Sequence, residues 1–538
     1  MSTRSLFLSA VSLAALAASG GFAQAATCES LTDLSLPDTT ISLAQPYTAG
    51  EVITGAVHAP VALCRVVGKI TPSSDSDINF EVWMPSSNWT GRYVQVGNGG
   101  FGGNIVYSAM LPAVENGNAT ASTDDGSSQP AGEPGGFFAL DHPDRILDLF
   151  YRAVHMTNID AKALVNAFYG EAAAYSYFNG CSKGGGESLA EVQRFPDDFD
   201  GILGGDAVND GTPLLDGFVW DTQAIGVTEA GPAAGFLPTA NIPALSAAEL
   251  SQCAKAKLVS TDLFLNDPRQ CNVNLGALLC TGSANSNCVT QAQIKGVKAV
   301  LSGPTTRFGL PIAPGYEPEF SVWPELGSLT QAPGTPPNAS LQGYFALGIF
   351  TYFLNPPLTL SSFNVNTTPA YLALKLGAAL NFANPDLRPF RQNGGKLIQY
   401  HGWADPLVAP KFSTEYFDSV VQFDRFHGDF FDALQDTQSF FRLFMEPGMG
   451  HCGGGPGPNE FGTTASVGLP TADPASDMFA ALETWVEKGI APRQIIASGT
   501  NTGVSPPVPF TRPLCSYPQH AVYVSGDTND ASSFVCGE

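Results

Sequence analysis

Short apolar runs bounded by turn residues recur along the first part of the chain. Residues 79–85 and 92–96 are rich in β-branched and aromatic side chains and predict two strands. A glycine-rich turn at residues 97–103 follows the second run, and residues from about 145 to 169 have helical character. The stretch from residue 28 to about 95 is therefore interpreted as mostly β.

The pattern then changes to a strand, a tight turn and a helix. Residues 174–178 form an apolar strand-like run, and apolar positions after about Gly185 recur every three residues until Pro196 ends the helix. Residues 201–204 predict another buried strand. This alternation predicts an α/β fold with a mostly parallel sheet and helices on both faces.

Residues 209–385 break the alternation. Four of the cysteines lie between positions 253 and 288, and residues 303–337 are rich in proline and glycine. The alternation returns with an apolar strand at residues 396–400. We therefore interpret residues 209–385 as an inserted domain.

The insertion would divide the remaining fold into two parts, residues 26–208 and 386–538. The last 30 residues carry two cysteines, Cys515 and Cys536. We expect them to form a terminal loop that is pinned by its own bridge.

The N-terminal residues have the pattern of a secretory signal peptide. Arg4 precedes an apolar run at residues 6–18, and a small-x-small cleavage site ends at Ala25. A membrane anchor is the alternative, but the run is shorter than the ~20 residues that a span needs. We expect residues 1–25 to be removed and the mature protein to be secreted, extracellular or, in a Gram-negative host, periplasmic.

The composition indicates a folded, loop-rich and acidic protein. Of the 538 residues, 44% are hydrophobic, which excludes wholesale disorder, and the 57 glycines and 41 prolines argue against a helical bundle. The net charge of −24 disfavours binding to phosphate backbones, and only 25 lysines and arginines disfavour docking on anionic membranes. We expect neither nucleic acid nor membrane as a partner, and the oligomeric state stays open.

The cysteine content agrees with an exported protein. An even number is typical of disulfides, and no two cysteines form a C-x-x-C pair, which disfavours zinc and thioredoxin-like sites. Ten cysteines allow about 945 pairings, so the sequence alone does not fix the connectivity. The ten are Cys28, Cys64, Cys181, Cys253, Cys271, Cys280, Cys288, Cys452, Cys515 and Cys536.

A Gly-x-Ser-x-Gly motif at residues 180–184 offers a nucleophile, Ser182. Such a motif places serine on a sharp turn between a strand and a helix, and its glycines leave Oγ exposed. The strand-like run before the motif and the amphipathic helix after it match that context. An ordinary glycine-rich turn is the alternative.

A serine hydroxyl needs a base, normally a histidine that a carboxylate orients. In an α/β-hydrolase the chain order is serine, acid, histidine. His451 lies in a glycine-rich loop, and Asp405 follows the strand at residues 396–400, at the end where α/β sheets place their chemistry. For Asp405 the alternative is a turn-capping Asp-Pro.

Two cysteines flank the candidate nucleophile and base. Cys181 directly precedes Ser182, and Cys452 directly follows His451. If the serine and the histidine are within hydrogen-bond distance, their neighbouring cysteines are also close. A disulfide between them would tether the base loop to the nucleophile turn and fix the geometry of both.

Together these residues resemble the tannase and feruloyl esterase family of exported α/β-hydrolases, which also contains the mono(hydroxyethyl) terephthalate hydrolases. The family's Cys-Ser…Asp…His-Cys arrangement is found here at residues 180–185, 401–405 and 450–454, and residues 195–201 also match. The resemblance covers nearly the whole mature chain. It implies an α/β-hydrolase fold interrupted by a lid domain, residues 209–385, that covers the active site.

The resemblance also implies a disulfide pairing. The family-like pairs are Cys28 with Cys64, Cys181 with Cys452, Cys253 with Cys271, Cys280 with Cys288, and Cys515 with Cys536. We adopt this pairing as a hypothesis.

The chain departs from the family in the segment that often binds calcium. Residues 253–271 contain Lys255, Lys257 and only two acids, Asp262 and Asp267. Calcium takes six to eight oxygen ligands, several of them carboxylates. We therefore expect that the protein requires no cofactor, and we assign no residue as a metal ligand. Calcium bound in this segment is not favoured.

The resemblance implies serine esterase chemistry. Ser182 attacks the ester carbonyl, His451 accepts its proton, and Asp405 orients His451. The oxyanion is expected to bind the backbone N–H of Lys183, the residue after the nucleophile, and that of Gly100 in the glycine turn. The side chain of Lys183 is not expected to take part, and for Gly100 a plain loop is the alternative.

The implied substrates are esters of aromatic acids, such as feruloyl or galloyl esters, either small or linked to plant polymers. Five aromatic residues of the insertion are candidates for a substrate pocket, although such a run more often forms core: Tyr344, Phe345, Phe350, Tyr352 and Phe353. Two alternatives stay open: a serine carboxypeptidase-like hydrolase, and a catalytically inactive binding protein on the same fold.

Overall fold

The computed structural model describes residues 25–228, 231–327, 329–330, 340–426, 430–462 and 472–538. All candidate site residues and all ten cysteines lie within these ranges. The expected signal peptide, residues 1–25, lies outside them except for Ala25.

The described residues contain fifteen strands, nine of which form one central sheet. The strands are β1 Thr39–Tyr47, β2 Val52–Thr54, β3 Val57–His58, β4 Leu63–Ile70, β5 Ile78–Pro85, β6 Arg92–Val96, β7 Ala119–Thr123, β8 Tyr175–Cys181, β9 Gly201–Gly205, β10 Lys396–Gly402, β11 Phe441–Glu446, β12 Gln494–Asn501, β13 Val508–Cys515, β14 His520–Tyr523 and β15 Phe534–Gly537. The predicted strands in β5, β6, β8, β9 and β10 are thus confirmed, with small shifts at their ends.

Thirteen α-helices are found in the same part of the chain. They are α1 Tyr107–Glu115, α2 Pro143–Leu147, α3 Ala153–Tyr169, α4 Lys183–Arg194, α5 Gly211–Ala224, α6 Ile242–Gln252, α7 Gln291–Ser302, α8 Leu341–Tyr352, α9 Thr368–Leu380, α10 Arg388–Gln392, α11 Lys411–Arg425, α12 Phe430–Gln438 and α13 Met478–Lys488. None of the helices in the described ranges is both long and apolar enough to cross a bilayer.

The central sheet is mixed, with strand order β1-β4-β5-β7-β6-β8-β9-β10-β11. In this spatial order, the first three neighbouring pairs, β1–β4, β4–β5 and β5–β7, are antiparallel. The remaining five pairs, β7–β6, β6–β8, β8–β9, β9–β10 and β10–β11, are parallel. The chain between β4 and β5 is short enough for an antiparallel return, whereas helices connect the parallel strands. The α/β class expected from the sequence is confirmed, with an antiparallel edge added to it.

Helices cover both faces of the sheet. On one face α1 and α13 bury Met110 and Trp485 against residues such as Trp83. On the other face α3 and α4 bury Leu164 and Leu189 in a larger cluster. Burial on both sides explains why the parallel strands are apolar runs without polar alternation.

The chain between β9 and β10 is helical and irregular. Its described residues hold α5 to α10 but no strand. Apolar residues of this segment, among them Phe218, Phe320 and Phe350, belong to the same core cluster as Leu189 of α4. Much of the segment therefore shares the core on one face of the sheet, and Phe264 also stacks on Phe510 of β13. Its exact division into a domain at residues 209–385 stays a prediction.

The last 30 residues do not form the terminal loop that we expected. Antiparallel pairs β12–β13 and β14–β15 occupy much of the C-terminal region. β13 contains two prolines, Pro509 and Pro513, and its sequence therefore does not predict a strand. Proline has no backbone N–H to donate to a neighbouring strand and is confined to the edges of sheets. The disulfide between Cys515 and Cys536 joins β13 to β15.

The structure pairs all ten cysteines as the resemblance implied, and none is free. Their Cα atoms are 5.0 to 6.0 Å apart, within the range of disulfides. The pairs are Cys28–Cys64, Cys181–Cys452, Cys253–Cys271, Cys280–Cys288 and Cys515–Cys536.

Five adjacent parallel strands end at one edge of the sheet. The loops that follow β6, β8, β9, β10 and β11 lie at their carboxyl ends. Parallel α/β sheets bind ligands at this edge. The fold thus gathers there the glycine turn, Ser182, Asp405 and His451.

Candidate active site

Ser182 lies on a strained turn between β8 and α4. Its backbone has φ 65° and ψ −119°, a conformation that serine rarely adopts. A Cβ atom on Gly184 would lie 2.9 Å from the carbonyl oxygen of Asn98, and one on Gly180 would lie 2.7 Å from that of Gly184. The two glycines therefore let strand, helix and neighbouring loop pack closely around the serine.

Ser182, His451 and Asp405 form an unbroken hydrogen-bonded chain. His451 Nε2 lies 2.8 Å from Ser182 Oγ, and its Nδ1 lies 2.7 Å from Asp405 Oδ2. The other oxygen of Asp405 accepts backbone N–H groups of Leu407 at 2.7 Å and Val408 at 3.0 Å. The carboxylate is thus fixed on both oxygens, one of them facing the imidazole.

The loop that carries His451 is held to the sheet in two ways. The disulfide between Cys181 and Cys452 joins positions 271 residues apart, with 6.0 Å between their Cα atoms. Asp206, directly after β9, accepts the backbone N–H groups of Cys452 and Gly402, each at 2.9 Å. One covalent bond and one buried carboxylate therefore set the position of the imidazole.

His401, at the end of β10, lies beneath Asp405. Its Nδ1 is 2.7 Å from Ser413 Oγ, and its Nε2 is 3.0 Å from the Val408 carbonyl oxygen and 3.3 Å from Asp405 Oδ2. This buried imidazole therefore contacts the same carboxylate oxygen of Asp405 as His451 does.

The local sequence pattern predicts no role for Asp206 or His401. Asp206 follows the predicted strand at residues 201–204, and His401 follows the predicted strand at residues 396–400. A position at the carboxyl end of a strand is the one feature of the sequence that could have indicated a role in the site. Their contacts with residues far along the chain, such as Asp206 with Cys452, depend on tertiary structure and have no local pattern.

The surrounding charges keep Asp405 ionised and His451 basic. Burial acts to raise the pKa of Asp405, but His451 and His401 together hold that pKa below its usual value. Burial acts to lower the pKa of His451, but the Asp405 carboxylate raises it above its ordinary value of 6.5. Burial raises the pKa of the nearby Asp206 to about 6.

The Lys183 side chain is buried in an ion-paired network beneath the glycine turn. Its Nζ lies 2.5 Å from Asp125 Oδ2 and also donates to Glu187. The second oxygen of Glu187 accepts the backbone N–H of Asn98 at 3.0 Å. Because Asn98 and Gly100 share one turn, Glu187 connects the nucleophile helix to that turn, and Lys183 pairs with Glu187 and with Asp125. That the Lys183 side chain takes no part in the chemistry stays a prediction.

Two cavities meet at Ser182, and Gly100, Phe345 and Leu407 line both. The inner pocket encloses about 560 Å³ of empty space, part of which is open to solvent, and is lined by Gly100, Phe101, Phe150, Ser182, Lys183, Val208, Gly211, Leu214, Leu215, Phe218, Phe345, Ile349, Leu380, Leu407 and Val408. The outer cleft encloses about 1040 Å³ of empty space, part of which is open to solvent, and is lined by Gly97, Asn98, Gly99, Gly100, Val106, Ser108, Ala109, Asn179, Gly180, Cys181, Ser182, Leu341, Phe345, Leu407, His451 and Cys452.

The five aromatic residues of the insertion do not share one role. Phe345 lines both cavities. Phe350 and Phe353 belong to the hydrophobic core, and the rings of Tyr344 and Tyr352 pack against other aromatic rings. The core interpretation therefore holds for Phe350 and Phe353, while Phe345 faces the candidate site.

The segment at residues 253–271 does not fit a calcium ion. Asp262 Oδ1 lies 3.1 Å from the guanidinium of Arg512, and the Asp267 carboxylate lies 2.9 Å from that of Arg269. Each of the two carboxylates already has a cationic partner from this chain, so they do not supply the free oxygens that calcium needs.

Among the described residues, three groups bring three metal-ligating side chains within 4.8 Å of one another. In one the two cysteines are bridged to each other, one lies in the candidate site, and in the third His155 Nδ1 lies 2.6 Å from Asp198 Oδ2. The groups are Cys181, Asp206 and Cys452; Asp206, Asp405 and His451; and His155, Glu191 and Asp198.

Comparison with known proteins gives a consistent result. The family model for tannase and feruloyl esterase matches residues 64–537. An uncharacterized esterase of Xanthomonas campestris is 39% identical, over 95% of this chain and 91% of its own. Feruloyl esterase B of Aspergillus niger is 30% identical over the full length of both chains, 100% of each.

A solved structure agrees with these sequence relatives. The crystal structure of feruloyl esterase B from Aspergillus oryzae superposes with a TM-score of 0.82 at 27% identity, covering 95% of this chain and 99% of that one. The similarity therefore extends over the sheet, the insertion and the C-terminal hairpins together.

Removing the bridge between Cys181 and Cys452 is expected to damage activity more than removing a remote bridge. The double variant Cys181→Ala with Cys452→Ala frees the His451 loop, and we expect kcat to fall on the order of tenfold to a hundredfold. The control is Cys515→Ala with Cys536→Ala, which lies away from Ser182. Both are assayed at a temperature where each is folded, and equal losses in kcat would contradict a positioning role.

Chelation is expected to leave the protein unchanged. Because arginines already pair with Asp262 and Asp267, treatment with EDTA should alter neither the melting temperature nor the rate of ester hydrolysis beyond experimental error. Thermal unfolding and initial rates before and after dialysis measure this. A large loss of stability that added calcium reverses would show that other oxygens form a site.

Proposed function

Since this chain belongs to the tannase and feruloyl esterase family and is a carboxylic ester hydrolase, we propose that it is a secreted serine esterase acting on esters of aromatic acids. Ser182 is the nucleophile, His451 the base and Asp405 the acid that orients it. The observation that carries this proposal is the unbroken chain of hydrogen bonds from Ser182 Oγ through His451 to Asp405. The tannase and feruloyl esterase relatives support the ester chemistry.

In the acylation step, Ser182 Oγ attacks the ester carbonyl while its proton passes to His451 Nε2. Asp405 accepts the Nδ1–H of His451, holds the correct tautomer and stabilises the cationic imidazole. The new bond from Oγ to the carbonyl carbon leaves a tetrahedral oxyanion. When that intermediate collapses, the bond to the alcohol oxygen breaks and His451 returns the proton to the leaving alcohol.

The oxyanion is stabilised by two backbone N–H groups, those of Lys183 and Gly100. Lys183 follows the nucleophile at the start of α4, and Gly100 lines both cavities at Ser182. Donors that are already in place cost no reorganisation during the reaction and are among the largest contributions to catalysis. The ion-paired network through Glu187 to Asn98 supports the turn that holds Gly100.

In the deacylation step, water takes the place of the alcohol. His451 accepts a proton from water as the oxygen attacks the acyl-enzyme, and the proton then returns to Ser182 Oγ as the acid leaves. The same two backbone donors bind the second oxyanion. No cofactor enters either step.

Aromatic acids are proposed as the acyl component because aromatic side chains surround the nucleophile. The ring centroids of Phe101 and Phe345 are 5.1 Å apart, and those of Phe218 and Phe345 are 6.3 Å apart. All three line the inner pocket. A hydrolysis panel of methyl ferulate, methyl gallate and a terephthalate monoester, with a peptide as the carboxypeptidase substrate, tests the ester class.

Secretion and the lid are parts of the same proposal. The N-terminal pattern at residues 1–25 and five disulfides support export to an oxidising compartment. The segment at residues 209–385 is proposed as a lid because it supplies Phe218, Phe345 and Ile349 to the wall of the inner pocket.

Replacing the nucleophile is expected to abolish turnover without unfolding the protein. Ser182→Ala should lower kcat by a factor on the order of 10³ or more, and His451→Ala should be comparably damaging because the residues act as a unit. Ser419→Ala, on α11 away from the site, serves as the control. Retention of substantial esterase activity by Ser182→Ala with an unchanged melting temperature would exclude the proposed mechanism.

Failure of a fluorophosphonate to label Ser182 in the unaltered protein would favour a binding function.

The rate of ester hydrolysis should fall on the acid side of its pH profile, with a midpoint above pH 6.5. His451 acts as a base only when neutral, and Asp405, Asp206 and Glu325 face it and raise its pKa above the ordinary 6.5. kcat/KM for an uncharged ester should therefore fall as the pH is lowered through that raised pKa and be restored as the pH rises. Initial rates over pH 5 to 9 measure this, and an acid limb clearly below pH 6 would mean that another group controls activity.

A further inference from the structure

We propose that the inner pocket binds the acyl group and selects acids whose rings carry hydrogen or methoxy groups over those that carry several free hydroxyls. This specificity rests on the proposed serine esterase function. It assigns the acid to the inner pocket and the alcohol to the outer cleft.

The position of His451 decides which cavity holds which part of the ester. The base must later protonate the leaving alcohol oxygen, so the alcohol lies on the same side of Ser182 as the imidazole. His451 lines the outer cleft and is not among the residues that line the inner pocket. Gly100, a proposed oxyanion donor, lies where the two cavities meet. The acyl chain therefore extends from the carbonyl carbon into the inner pocket.

The inner pocket offers almost no hydrogen-bonding side chain. Apart from Ser182 and Lys183, its lining side chains are aliphatic or aromatic. The ammonium group of Lys183 is already bonded to Asp125, Glu187 and the carbonyl oxygen of Leu149, the last at 3.2 Å. A ring hydroxyl that enters this pocket loses its water and finds no side-chain partner in return.

Hydrogen and methoxy substituents avoid this loss. Neither carries a donor that needs a partner, and a methoxy group adds apolar surface that the lining residues can cover. The rings of Phe101, Phe218 and Phe345 give such an acid aromatic contacts. An apolar pocket lowers kcat/KM for a substrate with an added hydroxyl by up to about a hundredfold. Hydroxylated acids are therefore expected to react more slowly, not to be excluded.

The outer cleft has more polar side chains in its wall than the inner pocket. It is the larger cavity, and Asn98, Ser108 and Asn179 lie along its wall with His451. Such a cleft accepts alcohols of different size and polarity. The specificity of the enzyme is therefore set by the acid rather than by the alcohol.

The test compares esters that differ only in ring hydroxyls. We expect kcat/KM for methyl cinnamate to exceed that for methyl caffeate, and that for methyl 3,4,5-trimethoxybenzoate to exceed that for methyl gallate, each by about tenfold or more. Methanol is the leaving group in all four, so differences report on the acyl side. A second series, the methyl, ethyl and glyceryl esters of cinnamic acid, should vary only a few-fold.

A variant supplies the missing hydrogen-bond partner. Ile349, on α8, lines the inner pocket, and Ile349→Gln places an amide there, while Ile349→Met is an apolar control of similar length. We expect the caffeate-to-cinnamate ratio of kcat/KM to rise in Ile349→Gln relative to Ile349→Met. The ratio is measured within each variant, so a loss of folded protein cancels.

The outcomes separate the specificity from the underlying function. If methyl gallate and methyl caffeate are hydrolysed as fast as their partners, or faster, the pocket assignment is wrong although the protein is an esterase. If none of the esters is hydrolysed and Ser182 does not react with a fluorophosphonate, the serine esterase function itself fails.

Discussion

The bond between Cys181 and Cys452 is the constraint on which the candidate site depends. Each cysteine is the direct neighbour of a proposed catalytic residue, so one covalent bond limits the separation of Ser182 and His451. Hydrogen bonds then refine that limit. Asp206 accepts the N–H of Cys452, and His451 reaches Ser182 at 2.8 Å. The loops stay together because breaking the contact requires reducing a disulfide, not merely opening a flexible loop.

The sequence was sufficient for the parts of the protein with local patterns. The strand, tight turn and helix around Ser182 follow from apolar periodicity and glycine spacing, and Asp405 and His451 follow from chain order and motif. The C-terminal hairpins were not predicted, because prolines interrupt β13. β7 was also missed, since Ala119–Thr123 holds only small side chains that lack the usual strand composition.

Other features could not be predicted because they exist only between distant residues. The contact of Lys183 with Asp125 spans 58 positions, and that of Asp206 with the N–H of Cys452 spans 246. The division between inner pocket and outer cleft likewise depends on where Phe345 of the insertion meets the glycine turn. Family membership identifies the reaction as ester hydrolysis, whereas the proposed selectivity among esters depends on these packed walls.

The buried network at Lys183 also restricts how this enzyme can change. Removing the ammonium group would leave Asp125 and Glu187 as adjacent buried acids, and removing either acid would leave part of a buried charge without compensation. Substitutions at the three positions are therefore expected to be non-additive, and each should cost less stability on a background in which its partners have also changed. Directed evolution around the glycine turn would therefore gain from varying the three together, since single substitutions leave a buried charge without its partner.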